Sequence, residues 1–292
     1  MRAFDEYNPA AVAIYFLAVT GIAMFCLDPI LLLLSLSGGV FYQIARKSAR
    51  PLKTHAYFLL LFLLSVLVNP IFSHNGVTVL FVVNDSPITL EATVYGAVAG
   101  LMILTVLYWF RAFTQIFTSD KLLYLFSRIS PKLALVLSMG LRYVPLFGEQ
   151  ARKIRETQTV LGLYKDGNVV DRFRGGVRVF SVMVTWSLEN GIITADSMTA
   201  RGYGLGRRTH FSIFRFRRGD WLLLAATIVL TAVCLSALAL TPASFTCYPA
   251  ILWPQFSPLT LAAYGSYGLL AFLPTILEAK EALKWRSLLS KI

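Results

Sequence analysis

The chain has 292 residues, of which 57% are hydrophobic and 14% charged, and its formal net charge is +12. Soluble domains have about 25% charged and about 45–50% apolar residues, so this composition excludes an ordinary water-soluble protein. The apolar residues lie in long runs, as they do in membrane proteins. We therefore predict an all-α integral membrane protein, in which the position of the basic residues indicates their partner.

A spanning helix needs about 20 apolar residues. Six runs come close to this length or exceed it, and they are, in chain order, 10–26, 29–45, 56–73, 90–110, 221–241 and 258–277. Asp28-Pro29 separates the first two runs, so a hairpin of two spans is expected there rather than one long helix. The apolar stretch around 77–83 is too short to span, and we expect an outer loop or a partly inserted segment.

Gly96 and Gly100 form a GxxxG pattern in the fourth apolar run. Small residues at this spacing let two helices approach closely within a membrane. The pattern is compatible with packing inside the bundle and with docking on another membrane subunit, and both interpretations stay open at this point.

Residues 111–219 form a basic insert, with 18 Lys and Arg against 7 Asp and Glu. If the N-terminus is inside and there are six spans, all 27 Lys and Arg of the chain lie on the cytoplasmic side. This distribution predicts a multi-pass protein of the cell membrane with both termini in the cytoplasm. We expect membrane helices in 1–110, an inserted pair or trio of cytoplasmic helices in 111–219, and membrane helices in 220–292. The basic residues would then face lipid or protein, and no nucleic-acid partner is expected.

The apolar stretches of the insert indicate helices rather than a disordered tail. We predict a helix over 131–143 that begins at the Ser130 cap, a bend at Pro145, and a second helix over 147–162. The second helix has an apolar stripe, formed by Phe147, Ala151, Ile154, Gln158 and Leu161.

A third helix is expected from about Phe180 to Arg201, with Gly202 as a glycine C-cap. A phosphate-binding loop would follow a strand and precede a helix, so Gly202, Gly204 and Gly206 are interpreted as a helix stop and a connector. The chain has no GxxxxGK[ST] sequence, so any ATP is expected to bind another subunit. No cofactor and no metal site are predicted.

Arg201 is a lone guanidinium between Ala200 and Gly202, followed by Tyr203 and Gly204. The small neighbours leave the side chain clear of its own chain, so that it can enter a groove on a partner and bind carboxylates or carbonyls. A favourable charge at a helix C-terminus, or a contact with anionic lipid, explains the same residues equally well.

The motif Ala200-Arg201-Gly202, followed by Tyr203-Gly204, resembles the Ala-Arg-Gly coupling motif of the T component of energy-coupling factor (ECF) transporters, the EcfT/CbiQ family. Three further segments resemble the family and occur in the family's order. They are Asn69-Pro70-Ile71-Phe72-Ser73-His74-Asn75-Gly76, Ile88-Thr89-Leu90-Glu91 with Tyr95-Gly96, and Leu141-Arg142-Tyr143-Val144-Pro145. Each motif is weak alone, but the ordered set is specific.

The resemblance implies a non-catalytic subunit of an ATP-driven importer. In the family, the T protein joins two ABC-type ATPases, which hydrolyse ATP, to a membrane-embedded S component that binds a vitamin or metal ion. The arginine motifs of the family's cytoplasmic coupling helices sit in grooves of the two ATPases. For this chain the resemblance implies ATPase coupling through Ala200, Arg201, Gly202, Tyr203 and Gly204, and contact with the S component near Arg142 and Pro145.

The chain departs from the family's pattern at the end of the helix predicted over 147–162. The family usually has another arginine motif there, whereas this sequence reads Gln158-Thr159-Val160-Leu161-Gly162. The glycine is retained, and an apolar contact by Leu161 would replace the ionic one. We therefore add Gln158, Leu161 and Gly162 to the ATPase-coupling set, and we expect unequal engagement of two non-identical ATPases.

Two other functions share the predicted topology and charge. A polytopic membrane enzyme would use the basic insert to bind anionic or phosphorylated lipid substrates, although the sequence shows no catalytic constellation. A membrane anchor for an assembly would have no role in transport. The sequence does not identify a transported substrate, because in the resembling family the S component selects it.

Overall fold

A computed structural model describes residues 3–46, 52–73, 76–83, 86–163, 169–206, 214–241, 245–254 and 256–289. The chain divides into two compact units. The membrane unit comprises Met1–Thr118 and Phe214–Ile292, and the insert unit comprises Ser119–Ile213. Residues 1–2, 164–168 and 290–292 are among those outside the described residues.

The described part of the membrane unit contains six long helices and one β-hairpin. In chain order these are α1 (Pro9–Phe25), α2 (Pro29–Ala45), α3 (Leu52–Phe72), β1 (Val79–Val83), β2 (Ser86–Thr89), α4 (Leu90–Ile116), α8 (Arg218–Leu240) and α9 (Pro258–Leu289). The described insert unit contains α5 (Ser119–Ile129), α6 (Pro131–Val160) and α7 (Val169–Ala200).

Helices α1 and α2 begin in the same way, with a polar cap followed by proline. The Asn8 side chain accepts a hydrogen bond from the Ala10 amide at 3.0 Å, and the Asp28 side chain accepts one from Ile30 at 2.9 Å. Proline suits the first helical position because its missing N–H has no partner there in any helix. Asp28-Pro29 therefore starts a new helix, and the predicted pair of helices is confirmed.

The apolar helices of the membrane unit confirm an all-α membrane protein. In the part of the chain that the structure describes, four apolar segments, in α3, α4, α8 and α9, are long enough to cross a bilayer. Helices α1 and α2 have 17 residues each. At about 1.5 Å per residue they are about 25 Å long, near the lower limit for a span.

Buried hydrogen bonds tie the helices of the membrane unit to one another. The Trp109 indole donates to Ser35 Oγ at 2.9 Å, and the Tyr267 hydroxyl donates to the same atom at 2.8 Å. The Tyr15 hydroxyl donates to the Leu270 carbonyl at 2.9 Å. These bonds link α1 to α9 and α2 to α4 and α9. A hydrocarbon environment makes an unpaired polar group costly, so each tie favours this one arrangement of helices.

The GxxxG pattern of α4 packs inside the bundle against α3. A Cβ atom added at Gly96 would lie 3.0 Å from the Asn69 Cβ, and one added at Gly100 would lie 3.0 Å from Phe62 Cδ2. The Ser65 hydroxyl also donates to the Gly96 carbonyl at 3.1 Å. Of the two interpretations left open above, internal packing is the one that the structure shows.

The apolar stretch around 77–83 is largely a strand rather than an irregular loop. Strand β1 pairs antiparallel with β2 in a two-stranded hairpin that immediately precedes α4. The Glu91 carboxylate in the first turn of α4 accepts hydrogen bonds from the amide and the hydroxyl of Thr78. This short apolar run therefore forms a local strand pair instead of a membrane span.

The prediction of two helices separated at Pro145 was wrong, because α6 is continuous from Pro131 to Val160. Proline costs one backbone hydrogen bond, but its fixed φ is compatible with a helix. Contacts with α7 on both sides of this position hold the helix together. The Tyr143 hydroxyl lies 2.9 Å from the Thr194 hydroxyl, and the Phe147 and Trp186 rings meet edge-on at 5.7 Å.

The start predicted for the third helix was also wrong, because α7 begins at Val169 rather than near Phe180. Gly175 and Gly176 lie inside this added portion, and each glycine costs about 1 kcal/mol in a helix interior. Gly175 and Val179 are buried, and this burial offsets part of the cost. The predicted end of the helix, with Gly202 after it, is confirmed.

Candidate functional site

Helix α7 ends in a Schellman motif that places Arg201 at the C-cap. The Gly202 amide donates to the Thr199 carbonyl at 2.9 Å, and the Tyr203 amide donates to the Met198 carbonyl at 3.0 Å. Gly202 has a φ of +77°, in the left-handed region that glycine adopts at little cost. The helix stops here because the backbone turns through that residue, and the Arg201 side chain is left exposed.

Helix α6 ends in the same motif, and Leu161 takes the position of Arg201. The Gly162 amide donates to the Thr159 carbonyl at 3.0 Å, and the Leu163 amide donates to the Gln158 carbonyl at 3.0 Å. Gly162 has a φ of +68°. The predicted match between the two helix ends therefore extends to the backbone hydrogen bonds, and the difference lies in the side chains.

The side chains at the two ends differ in what they offer to a partner. The Leu161 side chain is 68% exposed, whereas Gln158 is only 8% exposed and lies within the fold. At the other end Arg201, Tyr203 and Gly204 are exposed. Gly204 also has a positive φ, of +95°, so a second turn follows the cap. One end thus presents a guanidinium and the other an apolar side chain.

The two caps lie at opposite ends of an antiparallel helix pair. The Arg178 guanidinium of α7 donates to the Leu163 carbonyl at 3.0 Å, next to the α6 cap. From Arg178 to Arg201, α7 rises roughly 35 Å at about 1.5 Å per residue. The insert unit therefore holds two identical backbone caps far enough apart to meet two different surfaces.

A cleft of about 790 Å³ lies beside the α6 cap, and sequence analysis missed it. Its walls combine two arginines, one aspartate and apolar side chains, and the lining residues are Gly162, Leu163, Asp171, Phe173, Arg174, Val177 and Arg178. Arg174 and Arg178 are four residues apart and lie on one helix face. That spacing was visible in the sequence, but it indicates a shared face only once the helix is known to start before them.

Arg142 and Pro145, predicted to contact an S component, are exposed on the middle of α6. Leu141 and Val144 beside them are also exposed, with 67% of Val144 accessible. The predicted contact region is therefore an accessible, largely apolar stretch of a continuous helix.

The structure brings two of the family-like segments together in the membrane unit. The Asn69 side chain in α3 donates to the Ala92 carbonyl in α4 at 2.9 Å. A Cβ added at Gly76 would lie 2.5 Å from the Glu91 carboxylate, so glycine permits a close approach there. His74 and Asn75, from the same segment, lie outside the described residues.

Among the described residues, no group of three or more His, Cys, Asp or Glu side chains is arranged to hold a metal ion. His55 instead lies 2.8 Å from the Tyr108 hydroxyl. The three cysteines, Cys26, Cys234 and Cys247, are free.

Fold and helix ends together define a class, a polytopic helical membrane protein that presents a pair of long capped helices in a separate basic unit. The chain matches the CbiQ family, described as cobalt transport protein, over residues 5–213, and it belongs to that family. The predicted EcfT/CbiQ resemblance is confirmed.

Three curated relatives are energy-coupling factor transporter transmembrane proteins. The chain is 34% identical over 106 residues to EcfT of Lacticaseibacillus paracasei, 32% identical over 102 residues to EcfT 1 of Listeria monocytogenes, and 30% identical over 106 residues to EcfT of Lactobacillus helveticus. These alignments cover 36%, 34% and 36% of this chain, and 40%, 38% and 38% of the relatives. The aligned part of the chain thus spans about two fifths of the length of the curated relatives it matches.

Proposed function

We propose that the chain is the transmembrane scaffold (T) subunit of an ECF-type ABC importer. In this role it binds two ABC-type ATPases and a membrane-embedded S component, and it couples ATP hydrolysis to movement of the S component during vitamin or metal-ion uptake. The chain itself is non-catalytic. Family membership supports the proposal, as do the names of the relatives.

The observation that carries the proposal is the pair of matching caps at the ends of α6 and α7. ATPases that act as a pair require two docking points, and the insert unit offers two identical backbone motifs roughly 35 Å apart along the helices. Arg201 at one of them is exposed and has small neighbours. A guanidinium so placed can form bidentate, charge-assisted hydrogen bonds with a carboxylate in a groove.

The contacts between α6 and α7 support a mechanical role for the insert unit. The Tyr143–Thr194 hydrogen bond and the Phe147–Trp186 ring contact join the two helices between their caps. A displacement of either cap is therefore passed along a continuous helix to the exposed stretch around Arg142 and Pro145. We place the contact with the S component at that stretch.

The distribution of basic residues supports the orientation that this role needs. The insert must face the cytoplasm, where ATP is available, and 18 of the 27 Lys and Arg lie in residues 111–219. The positive-inside rule then assigns both chain ends to the cytoplasm.

Replacement of Arg201 by glutamate tests the proposal directly. We expect Arg201→Glu to remain in the membrane and to lose both ATPase association and coupled uptake, because a carboxylate repels the acidic groove that the arginine is proposed to enter. Co-purification of the ATPases from detergent extracts and uptake in whole cells measure the two effects.

Lys132→Glu provides the matched control for this experiment. Lys132 is an exposed basic residue in the first turn of α6, so its replacement changes the charge of the same unit by the same amount. Unchanged uptake by Arg201→Glu would defeat the proposal. Equal losses in both variants would show a general effect of charge and would count against a specific Arg201 contact.

A further inference from the structure

We propose that Arg178 of α7 supplies the guanidinium that the α6 cap lacks, and that the cleft beside this cap binds a carboxylate-bearing segment of one ABC-type ATPase. The inference rests on the proposed function and extends it to the second docking point. It replaces the expectation that Leu161 acts there through an apolar contact alone.

The position of Arg178 is fixed by the cap itself. Its Nη2 donates to the Leu163 carbonyl at 3.0 Å, and the Leu163 amide closes the Schellman motif by donating to Gln158. The guanidinium is therefore held two residues beyond Leu161. At the other cap, the guanidinium of Arg201 occupies the equivalent of Leu161 itself. The α6 cap therefore receives its guanidinium from a residue of α7, whereas the α7 cap has a guanidinium on its own C-cap residue.

Among the described residues, only the Leu163 carbonyl accepts a hydrogen bond from Arg178. A guanidinium has five N–H donors, and the structure assigns one of them to Leu163. The Nε atom is buried and has no hydrogen-bond partner among the described residues. A buried donor without a partner is costly, so a shift of the side chain that brings Nε to a carboxylate in the cleft would be favourable.

The cleft carries a net positive charge on its described lining. Arg174 and Arg178 face one carboxylate, Asp171, and no ion pair within 4.0 Å joins either arginine to it in the described part of the unit. A single acidic group from a partner would therefore meet two cations and one anion. This charge balance favours a carboxylate ligand.

The apolar walls favour a protein segment over a small free anion. Phe173 is 74% exposed at the cleft, and Val177 and Leu163 are also accessible. The Arg201 cap has the same combination, with Tyr203 and Leu205 exposed beside the arginine. Both ends thus place a guanidinium beside exposed apolar surface, but they differ in the C-cap side chain, which is Leu161 at one end and Arg201 at the other.

A purely structural role for Arg178 makes a different prediction. A cation near a helix C-terminus stabilises the helix, and the bond to Leu163 braces the cap. Arg178→Gln removes the charge and also the bond to Leu163, because the glutamine amide lies two bonds closer to the backbone than Nη2, so a second variant that restores only a guanidinium at the cap separates the two roles.

The experiment uses the full-length chain, co-expressed with the ABC-type ATPases of its own genome and purified in detergent. We expect Arg178→Gln to raise the apparent Kd of the purified ATPases about tenfold, the effect of losing one charge-assisted hydrogen bond. Adding Leu161→Arg should restore binding, since it places a guanidinium where the other cap has Arg201. Arg172→Gln, an exposed arginine of α7 outside the cleft lining, serves as the control and should bind like the wild type.

The possible outcomes distinguish this inference from the proposed function. Unchanged binding by Arg178→Gln, with lost binding by Arg201→Glu, would overturn the inference and leave the proposed function standing. Unchanged binding by both variants would refute the proposed function. If Arg178→Gln lowers the thermal stability of the chain, the double variant decides: restored binding supports the inference, and failure to restore it overturns the inference.

Discussion

At the scale of single residues, Leu161 and Arg201 have the same backbone geometry and different side chains. Both follow the last helical residue, and both precede a glycine with positive φ. Glycine tolerates that conformation, whereas other residues pay roughly 1–2 kcal/mol for it. Both helices thus end in the same tight backbone turn, while the side chain at the C-cap position differs, Leu161 in α6 and Arg201 in α7. We infer that the two ends discriminate between two non-identical ATPases.

Cysteine crosslinking tests this discrimination. A cysteine introduced by Leu161→Cys should crosslink to only one of the two ATPases, because each cap is proposed to have its own partner. Leu205→Cys, which places a highly exposed thiol beside the Arg201 cap, is the matched probe and should reach the other ATPase. Mass spectrometry of the crosslinked products identifies the partners. Equal labelling of both ATPases by Leu161→Cys would refute the prediction.

At the scale of elements, α6 carries a proline in its middle where an uninterrupted helix would be more stable. Pro145 has no N–H, so the Leu141 carbonyl loses its intrahelical partner. Pro145→Ala should restore this bond and raise helix stability by up to about 3 kcal/mol. We nevertheless expect uptake to fall, since the exposed stretch at Pro145 is the proposed contact with the S component. Thermal unfolding of the purified chain and uptake in cells measure the two effects.

Gly148→Ala is the control for this prediction. Gly148 lies in the same helix, and a Cβ added there has no neighbour within 4 Å, so alanine should stabilise the helix without altering Pro145. An uptake defect of equal size in both variants would show that the greater stability of the helix, and not a lost contact at Pro145, reduces uptake. The proposed contact at Pro145 would then lose its support.

Much of this element structure follows from the sequence, because apolar runs and polar caps are local features. The run 29–45 has the bounds of α2, and the Ser130 cap of α6 is confirmed, because its side chain accepts a hydrogen bond from the Leu133 amide. The continuity of α6 through Pro145 was not predictable, since it depends on contacts with α7 on either side. The early start of α7 depends likewise on the burial of Gly175.

In the candidate site, too, the local features were predictable from the sequence and the contacts between helices were not. The caps at Gly162 and Gly202 were predictable, because a glycine after an apolar helix is a local pattern. The role of Arg178 was not, since its contact with Leu163 joins two helices across a turn. The burial of Gln158 was not predictable either, because its place on one face of the helix does not show whether other residues cover that face.

At the scale of the whole molecule, the proposed function depends on which side of the membrane the basic insert faces. We predict that Leu205→Cys in intact cells is protected from a membrane-impermeant thiol reagent, because the insert lies in the cytoplasm. Trp253→Cys, in the loop between α8 and α9, should be labelled from outside. Gel-shift labelling before and after cell lysis provides the measurement. The reverse pattern would place the basic insert outside and overturn the function.

The ties within the membrane unit and the proposed contacts of the insert unit should respond differently to ionic strength. The bonds of Ser35 with Trp109 and Tyr267 are buried between neutral groups, where dissolved ions do not reach. Arginine contacts at an exposed protein surface are screened by ions, with a Debye length of about 3 Å at 1 M salt. We therefore expect a wash at high salt concentration to dissociate the ATPases from the chain while its membrane helices stay folded. Fresh ATPases should then bind again once the salt is removed.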